Sequence, residues 1–357
     1  VKTLIIAEAG VNHNGDEQLA RELVDVAAQA GADIVKFQTF NADNLTTQDA
    51  KQADYQAQNM GQQQSQYQML KALELPTEAF RRLKAYAESQ GIGFLSTAFE
   101  SQSLNFLTSE LKLTRLKIPS GELTNSPFVL EHARTGCDLI VSTGMATLAD
   151  IERALQVIAF GLLNSSGNPT EALLLQAYSS QQGQEALRQK VTLLHCTTEY
   201  PAPMEHINLN AISSMRQTFG LACGYSDHTL GITVPIAAAA LGSAVIEKHF
   251  TLDPKLPGPD HKASLPPDEL TTMVKAIREA NQAMGDGIKR PLGDELNNAK
   301  AARKSLVAST DIHTGDVLGE HNLTIMRPGD GIPAHRYWDY LGRQALKAYR
   351  AGDCIDE

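Results

Sequence analysis

The feature that most constrains this chain is an alternation repeated eight times. Short apolar, β-branched runs stand at residues 4–9, 34–38, 92–96, 115–118, 139–142, 191–195, 221–224 and 244–248. Each is followed by a stretch with helical spacing, at 17–30, 77–90, 101–108, 126–134, 148–160, 209–219, 232–241 and 267–284. Continuously apolar strands separated by amphipathic helices predict a parallel sheet covered by helices. Eight such units predict an α/β fold, a (β/α)8 TIM barrel. A doubly wound sheet would show fewer units and a glycine-rich first turn. Here Gly10 is followed by Val-Asn-His-Asn-Gly, which is not G-x-G-x-x-G.

Two interruptions break the rhythm. Residues 41–76 are polar and Gln-rich (Gln62-Gln63-Gln64-Ser65-Gln66), an excursion after the second strand that reads either as a solvated loop or as a lid. Residues 163–190, with Asn164-Ser165-Ser166-Gly167-Asn168-Pro169, read as an exposed insertion at the bottom of the barrel, away from any chemistry. The pattern predicts a catalytic domain over 1–284, a linker over 285–304 and a small strand-rich module over 305–357. That module carries one internal echo, Ile312-His313-Thr314-Gly315-Asp316-Val317 against Tyr349-Arg350-Ala351-Gly352-Asp353-Cys354. Trp338, Tyr337 and Tyr340 are expected to form its core.

Composition narrows the function. The 31 Lys and Arg against 41 Asp and Glu give a net charge of −10, which argues against a general nucleic-acid binder, since such a protein needs a basic face. Any anionic ligand must then be met by a local basic pocket. No apolar run reaches the length of a membrane span; 232–240 is short and carries Pro235. The start Val1-Lys2-Thr3 leads into a strand without a signal-peptide pattern, and Cys137, Cys196, Cys223 and Cys354 are far apart, as in reduced thiols. A cytoplasmic protein without membrane or nucleic-acid partners is expected.

Barrel proteins place reactive groups where strands end. Nearly every strand here ends in polar residues: Glu8; Lys36 and Gln38; Ser96 and Thr97; Lys117 and Ser120; Ser142; His195 and Thr197; Ser226, Asp227 and His228; Glu247 and His249. Residues two apart share a face, so Lys36 sides with Gln38 and Glu247 with His249, while Lys248 points the other way. Lys36 and Lys117 are open to two readings, ion pairs with barrel acids or, with Ser120, Ser142 and Ser226, a cradle for phosphate and carboxylate. The Ser120-Gly121 and Thr143-Gly144 pairs would add closely approaching N–H groups. His228 and His249 facing Glu8, Asp227 and Glu247 suit an open divalent site such as Mn2+ better than a closed structural zinc. Cys196 reads as core.

The motifs resemble the sialic acid synthase family, which includes N-acetylneuraminate synthase and its legionaminate and pseudaminate relatives. The resemblance runs through Glu8-Ala9-Gly10-Val11-Asn12-His13-Asn14-Gly15, Val35-Lys36-Phe37-Gln38-Thr39, Lys117-Ile118-Pro119-Ser120-Gly121-Glu122 and Ser142-Thr143-Gly144-Met145. It continues through His195-Cys196-Thr197-Thr198-Glu199-Tyr200-Pro201, Ser226-Asp227-His228, Glu247-Lys248-His249-Phe250, Pro257-Gly258-Pro259-Asp260-His261 and Arg327-Pro328-Gly329. It implies condensation of phosphoenolpyruvate with the open-chain aldehyde of N-acetylmannosamine to give N-acetylneuraminate and phosphate. A 2,4-diacetamido-6-deoxymannose giving N,N'-diacetyllegionaminate is the alternative. Another 3-deoxy-sugar-acid synthase and a non-enzymatic sugar-binding protein stand further off.

By the same resemblance Lys36, Thr97, Lys117, Ser120, Ser142 and Ser226 would hold phosphoenolpyruvate, with Lys36, Lys117 and Glu247 the catalytic set and Glu247 handling protons and water. His228 and His249 would ligate Mn2+, with Mg2+ or Co2+ as other candidates. Gln38, Thr198, Tyr200 and Asp260 would face the sugar. The small module looks like an antifreeze-like (SAF) domain, swapped across a homodimer so that Arg327 closes the partner's site. Asn14 and Thr198 depart from some relatives, which leaves the sugar open.

Overall fold

The computed structural model describes residues 2–60, 64–164 and 166–356. Gln62 and Gln63 of the Gln-rich run and Ser165 of the second insertion lie outside the described residues. Contacts divide the chain into two units, Val1–Gly285 and Asp286–Glu357.

In the first unit, β1 (Leu4–Gly10), β2 (Ile34–Thr39), β3 (Gly93–Ala98), β4 (Arg115–Ile118), β5 (Asp138–Ser142), β6 (Val191–Cys196), β7 (Ala222–Asp227) and β8 (Val245–His249) close in sequence order into a parallel barrel. The lumen begins as an apolar layer of Ile6, Ile34, Leu95, Ile140, Leu194 and Val245. Two residues further along the same strands stand Glu8, Lys36, Thr97, Ser142, Cys196 and Glu247, so the period of two lifts a polar layer directly above the apolar one. On β7 this face reads Gly224, Ser226, His228. The strand was expected to stop at Gly224, but it runs on, because this glycine serves a close approach and not a break. A Cβ there would meet the Val245 carbonyl oxygen at 2.3 Å and Leu194 Cδ2 at 2.8 Å.

The helices hold this barrel from outside through the faces their spacing dictates. In Glu17–Gln29 the side chains of Ala20, Leu23, Val24 and Ala27 are buried, and Asp16 caps the first turn by accepting from the Gln18 and Leu19 amides. Each such buried Leu or Val contributes about 1.5–3 kcal/mol. The stretch expected as one helix over 101–108 is instead a short α-helix, Ser101–Asn105, that widens into a π-turn over Phe106–Glu110.

Both insertions are folded. The excursion after β2 forms three short helices, Ala42–Leu45, Asp54–Met60 and Gln66–Leu73. The second forms Glu171–Ser179 and Gln181–Lys190, hinged on Ser180 and packed on the helix Leu148–Leu163 through partners that include buried Leu174, Ala177 and Leu187. It is not the exposed loop its Asn-Ser-Gly composition suggests.

In the second unit the segment expected as a linker contains a helix, Glu295–Ala302, and β9 (Ser305–Ala308) pairs antiparallel with β10 (Leu323–Met326). The internal echo is a structural repeat. Ile312 and Tyr349 pair with each other, and each is followed by the same turn, in which Asp316 accepts from the His313 amide and Asp353 from the Arg350 amide, both at 2.7 Å. Tyr340 is in the core with Leu306, Ile312 and Tyr349, but Trp338 is 77% exposed, against expectation. The reason is helical geometry: in Tyr337–Tyr340 the residues three apart share a face, and Trp338, two residues before the core-facing Tyr340, points about 160° away from it.

Among the described residues no helix is long and apolar enough to cross a membrane.

Candidate active site

The C-terminal ends of the strands open into a cavity of about 670 Å³. Lys36, Gln38, Thr97, Lys117, Ser120 and Ser142 line it, as do Thr198, Tyr200, Ser226, His228, Glu247, His249 and Asp260. Thirteen residues drawn from seven strand ends and the loop after β8 thus meet in one place. Arg327 lies in the second unit, where its Nε donates to the Ala302 carbonyl at 2.9 Å.

The floor is a buried ionic layer. Lys117 Nζ is 2.7 Å from Glu247 Oε1, which also accepts the Ser226 hydroxyl at 2.8 Å. Lys36 Nζ sits 2.7 Å from Glu8 Oε2 and 3.6 Å from Glu247 Oε2, and donates to Thr97 Oγ1 at 3.1 Å. The lysines are thus paired with barrel acids and at the same time line the cavity. With both carboxyls ionised, two ammoniums against two carboxylates leave the layer without net charge.

Burial acts unequally on the four groups. At Glu247 it is outweighed by Lys117 and Lys36, which hold the carboxyl well below the usual range. At Glu8 burial prevails over the single close cation, Lys36, and the carboxyl is pushed up to about 7. Burial also lowers the Lys117 ammonium in spite of Glu247, whereas at Lys36 burial is outweighed by Glu247 and Glu8 and its pKa rises. Glu8 is consequently the carboxyl poised near neutrality.

Alternation corrects three of the strand-end assignments. Asp227 does not join the carboxylates facing the histidines. It lies on the outer face of β7 and pairs with Lys248 at 2.6 Å, both side chains fully buried between barrel and helices. His195 also faces outward, bonded to the Ile207 carbonyl. Its neighbour Cys196, expected in the core, points the opposite way and lines the cavity, with Sγ 3.7 Å from Ser120 Oγ. The Gly144 amide is taken by Ser120 Oγ at 3.0 Å, and a Cβ on Gly144 would meet Thr198 Cγ2 at 2.6 Å, so this glycine lets Ser120 and Thr198 converge.

Above the floor, Tyr200 lies over His228 with ring centres 4.0 Å apart, and the His228 and His249 rings are 5.5 Å apart. His228 Nδ1 is bonded to the Thr197 carbonyl, which leaves Nε2 as the free lone pair. His249 Nδ1 is buried without a hydrogen-bond partner among the described residues. Burial lowers His228 to about 4 and His249 well below its usual value, so both rings are neutral. Two neutral imidazoles, one with an orphaned nitrogen, fit a divalent cation. Two histidines are fewer than the four protein ligands of a closed structural site, and among the described residues no three His, Cys, Asp or Glu side chains are grouped to hold a metal ion. Burial raises Asp260 to about 6.

Several lining residues were not singled out from sequence as site residues. Glu122 was read only as a motif member; its Oε2 accepts from Asn125 Nδ2 at 2.7 Å. Tyr55, Gln56, Met69 and Leu70 come from the excursion after β2, whose helices wall the cavity. Tyr55 stacks on Tyr200 at 4.9 Å. Asn14 is bonded through Oδ1 to His261 Nε2 at 3.2 Å.

A closed parallel barrel with a charged, hydroxyl-lined cavity at its strand C-termini defines a (β/α)8-barrel protein with its site at the usual end. The chain belongs to the NeuB family, whose model matches residues 23–289. It is similar to N,N'-diacetyllegionaminic acid synthase of Campylobacter jejuni, 48% identical over 100% of this chain and 99% of that protein. The synthase of the same name from Legionella pneumophila is 43% identical over 98% of this chain and 92% of that protein. Among solved structures, the N-acetylneuraminic acid (sialic acid) synthetase of Leptospira borgpetersenii in complex with citrate matches with a TM-score of 0.66 and 30% identity, over 84% of this chain and 90% of that one.

Proposed function

We propose that this protein condenses phosphoenolpyruvate with the open-chain form of 2,4-diacetamido-2,4,6-trideoxymannose, giving N,N'-diacetyllegionaminate and phosphate. N-acetylmannosamine, the sugar first expected from sequence, gives way because relatives covering nearly the whole chain at 48% and 43% identity carry the legionaminic name. One observation carries the chemistry: Lys36 and Lys117 stand in a ring of hydroxyls beside two neutral histidines in a single cavity.

In this reading Lys36, Lys117, Thr97, Ser120, Ser142 and Ser226 hold the phosphate and carboxylate of phosphoenolpyruvate. The buried Ser142 hydroxyl, without a partner among the described residues, is free to bond it. Gln38, Thr198, Tyr200 and Asp260 orient the sugar. C3 of the enol bonds to the aldehyde carbon, whose oxygen gains a proton. Water adds at C2, the C2–O bond to phosphate breaks, and the phosphate leaves with that oxygen. Glu247, held ionised, positions the lysines and the water. Glu8, poised near neutrality, can hold the proton in transit. A divalent cation bound by His228 and His249, Mn2+ ahead of Mg2+ or Co2+, would supply Lewis-acid polarisation of the aldehyde. Because the floor has no net charge, such a cation would also offset the charge of the bound anion.

The reading includes an antifreeze-like role for the second unit in a homodimer, where the partner's Arg327 would meet the sugar's amide region. It is set in the cytoplasm, a compartment that suits four free cysteines.

Phosphate release should require phosphoenolpyruvate, the sugar and the metal together; release without sugar would contradict the reading. His249→Ala should weaken Mn2+ binding, measured by titration, by more than about 10-fold, the lower bound set by changes to outer-shell partners of metal ligands. Its circular dichroism should stay that of the parent, and Mn2+ affinity equal to the parent's would remove His249 from the ligand set.

A further inference from the structure

The cavity has two chemically different walls. One is the ionic floor. The other comes from the excursion after β2, where the helix Gln66–Leu73 turns one face inward. Gln66, Met69, Leu70 and Leu73, spaced i, i+3, i+4, i+7, all line the cavity. Val11, Leu45 and Phe99 complete that wall and pack with Met69 and Leu73 as a separate apolar cluster. The outer face of the same helix is pinned: Tyr67 Oη donates to Asp43 Oδ1 at 2.6 Å, Lys71 bridges Asp43 and Glu74 at 3.0 Å each, and Ser65 and Gln68 form a capping box. The hydrogen-bonding capacity of this wall is partly used up, since Thr46 donates to Gln66 Oε1 at 3.3 Å. Leu70 is only half-buried, so its side chain is available to a ligand in the cavity.

A hydroxyl pressed against the Met69, Leu70, Leu73 and Phe99 side chains of this wall loses water and gains no partner there, whereas a methyl gains by burial. The charged floor takes the reacting end of the substrates. We propose that the apolar face of Gln66–Leu73, with Val11, Leu45 and Phe99, is the subsite for the deoxygenated end of the sugar and makes the enzyme selective for a 6-deoxy over a 6-hydroxy substrate. This rests on the sugar-acid synthase reading of the same cavity.

The test uses the full-length protein with phosphoenolpyruvate, Mn2+ and two sugars that differ only at C6, 2,4-diacetamido-2,4,6-trideoxymannose and its 6-hydroxy counterpart. The parent protein should show a kcat/KM ratio of roughly 10- to 100-fold in favour of the methyl sugar, the range that an apolar pocket gives against an added hydroxyl. Leu70→Gln should lower that ratio by about tenfold with the KM for phosphoenolpyruvate unchanged, and Leu70→Met should keep it. A parent ratio near one, or a Leu70→Gln variant that slows both sugars equally, overturns the subsite while leaving the synthase reading in place. No phosphate release with either sugar overturns both.

Discussion

Lys117→Met should lower kcat/KM for phosphoenolpyruvate by about 10²–10³-fold, the loss expected when one fixed donor to developing charge is removed. Methionine is an unbranched side chain of similar volume, one atom shorter, that removes both the charge and the N–H donors. Glu247 would retain the Ser226 hydroxyl and Lys36 at 3.6 Å, but it would lose its closest cation. Its carboxyl pKa should therefore rise from its depressed value. The ionic floor would lose one positive charge and attract less strongly the anion it has to hold. The effect should appear in the KM for phosphoenolpyruvate at least as strongly as in kcat. An unchanged KM with a modest drop in kcat would show that Lys117 serves only to hold Glu247.

Lys248→Met should act on stability, with an unfolding free energy lower by about 3–5 kcal/mol in a denaturant titration, because a buried carboxylate loses the cation paired with it. Asp227 and Lys248 are both fully buried 2.6 Å apart and are register partners on β7 and β8. Asp227 would keep the Thr229 amide and hydroxyl, at 3.0 and 3.1 Å. The pair also has a bearing on the site. It sits on the outer face at the level where Ser226, His228, Glu247 and His249 turn inward, and a slip of one residue would exchange the two faces. Converting both partners, Asp227→Asn with Lys248→Met, should recover much of the loss, since the uncompensated charge is then gone. Equal stability of the single and double variants would contradict this.

These two lysines mark what the sequence discloses and what it hides. Eight strands and the helices around them were legible, because continuous β-branched runs and 3.6-residue spacing are local properties. The inward pairs Lys36 with Gln38 and Glu247 with His249, and the outward Lys248, followed from the period of two alone. Asp227 was misassigned although the same rule applies to it: between Ser226 and His228 it has to face out. Cys196 and His195 were exchanged for the same reason. Trp338 was placed in the core on hydrophobicity, where its phase in a four-residue helix decides against it.

What local pattern cannot disclose is partnership across the barrel. Lys117 and Glu247 are 130 residues apart, and only closure makes their pairing visible. The excursion was open between loop and lid because its helices are four to eight residues long, too short to declare a period. Glu8 was legible as a strand-end acid, but its tuning toward neutrality depends on burial and on the neighbours that closure gives it.

The puzzle of an acidic chain that binds an anion is also narrower than the net charge of −10 suggested. Its two best-placed lysines are already neutralised by Glu8 and Glu247. In the proposed reaction the anion's charge would be met by a divalent cation held on His228 and His249.

Mass spectrometry of the products from phosphoenolpyruvate labelled with 18O at the oxygen bridging C2 and phosphorus tests the proposed reaction most directly. The label should be found in the released phosphate, together with a nine-carbon acid formed preferentially from 2,4-diacetamido-2,4,6-trideoxymannose when N-acetylmannosamine is present at equal concentration. Unlabelled phosphate, or N-acetylneuraminate as the dominant product, would contradict it.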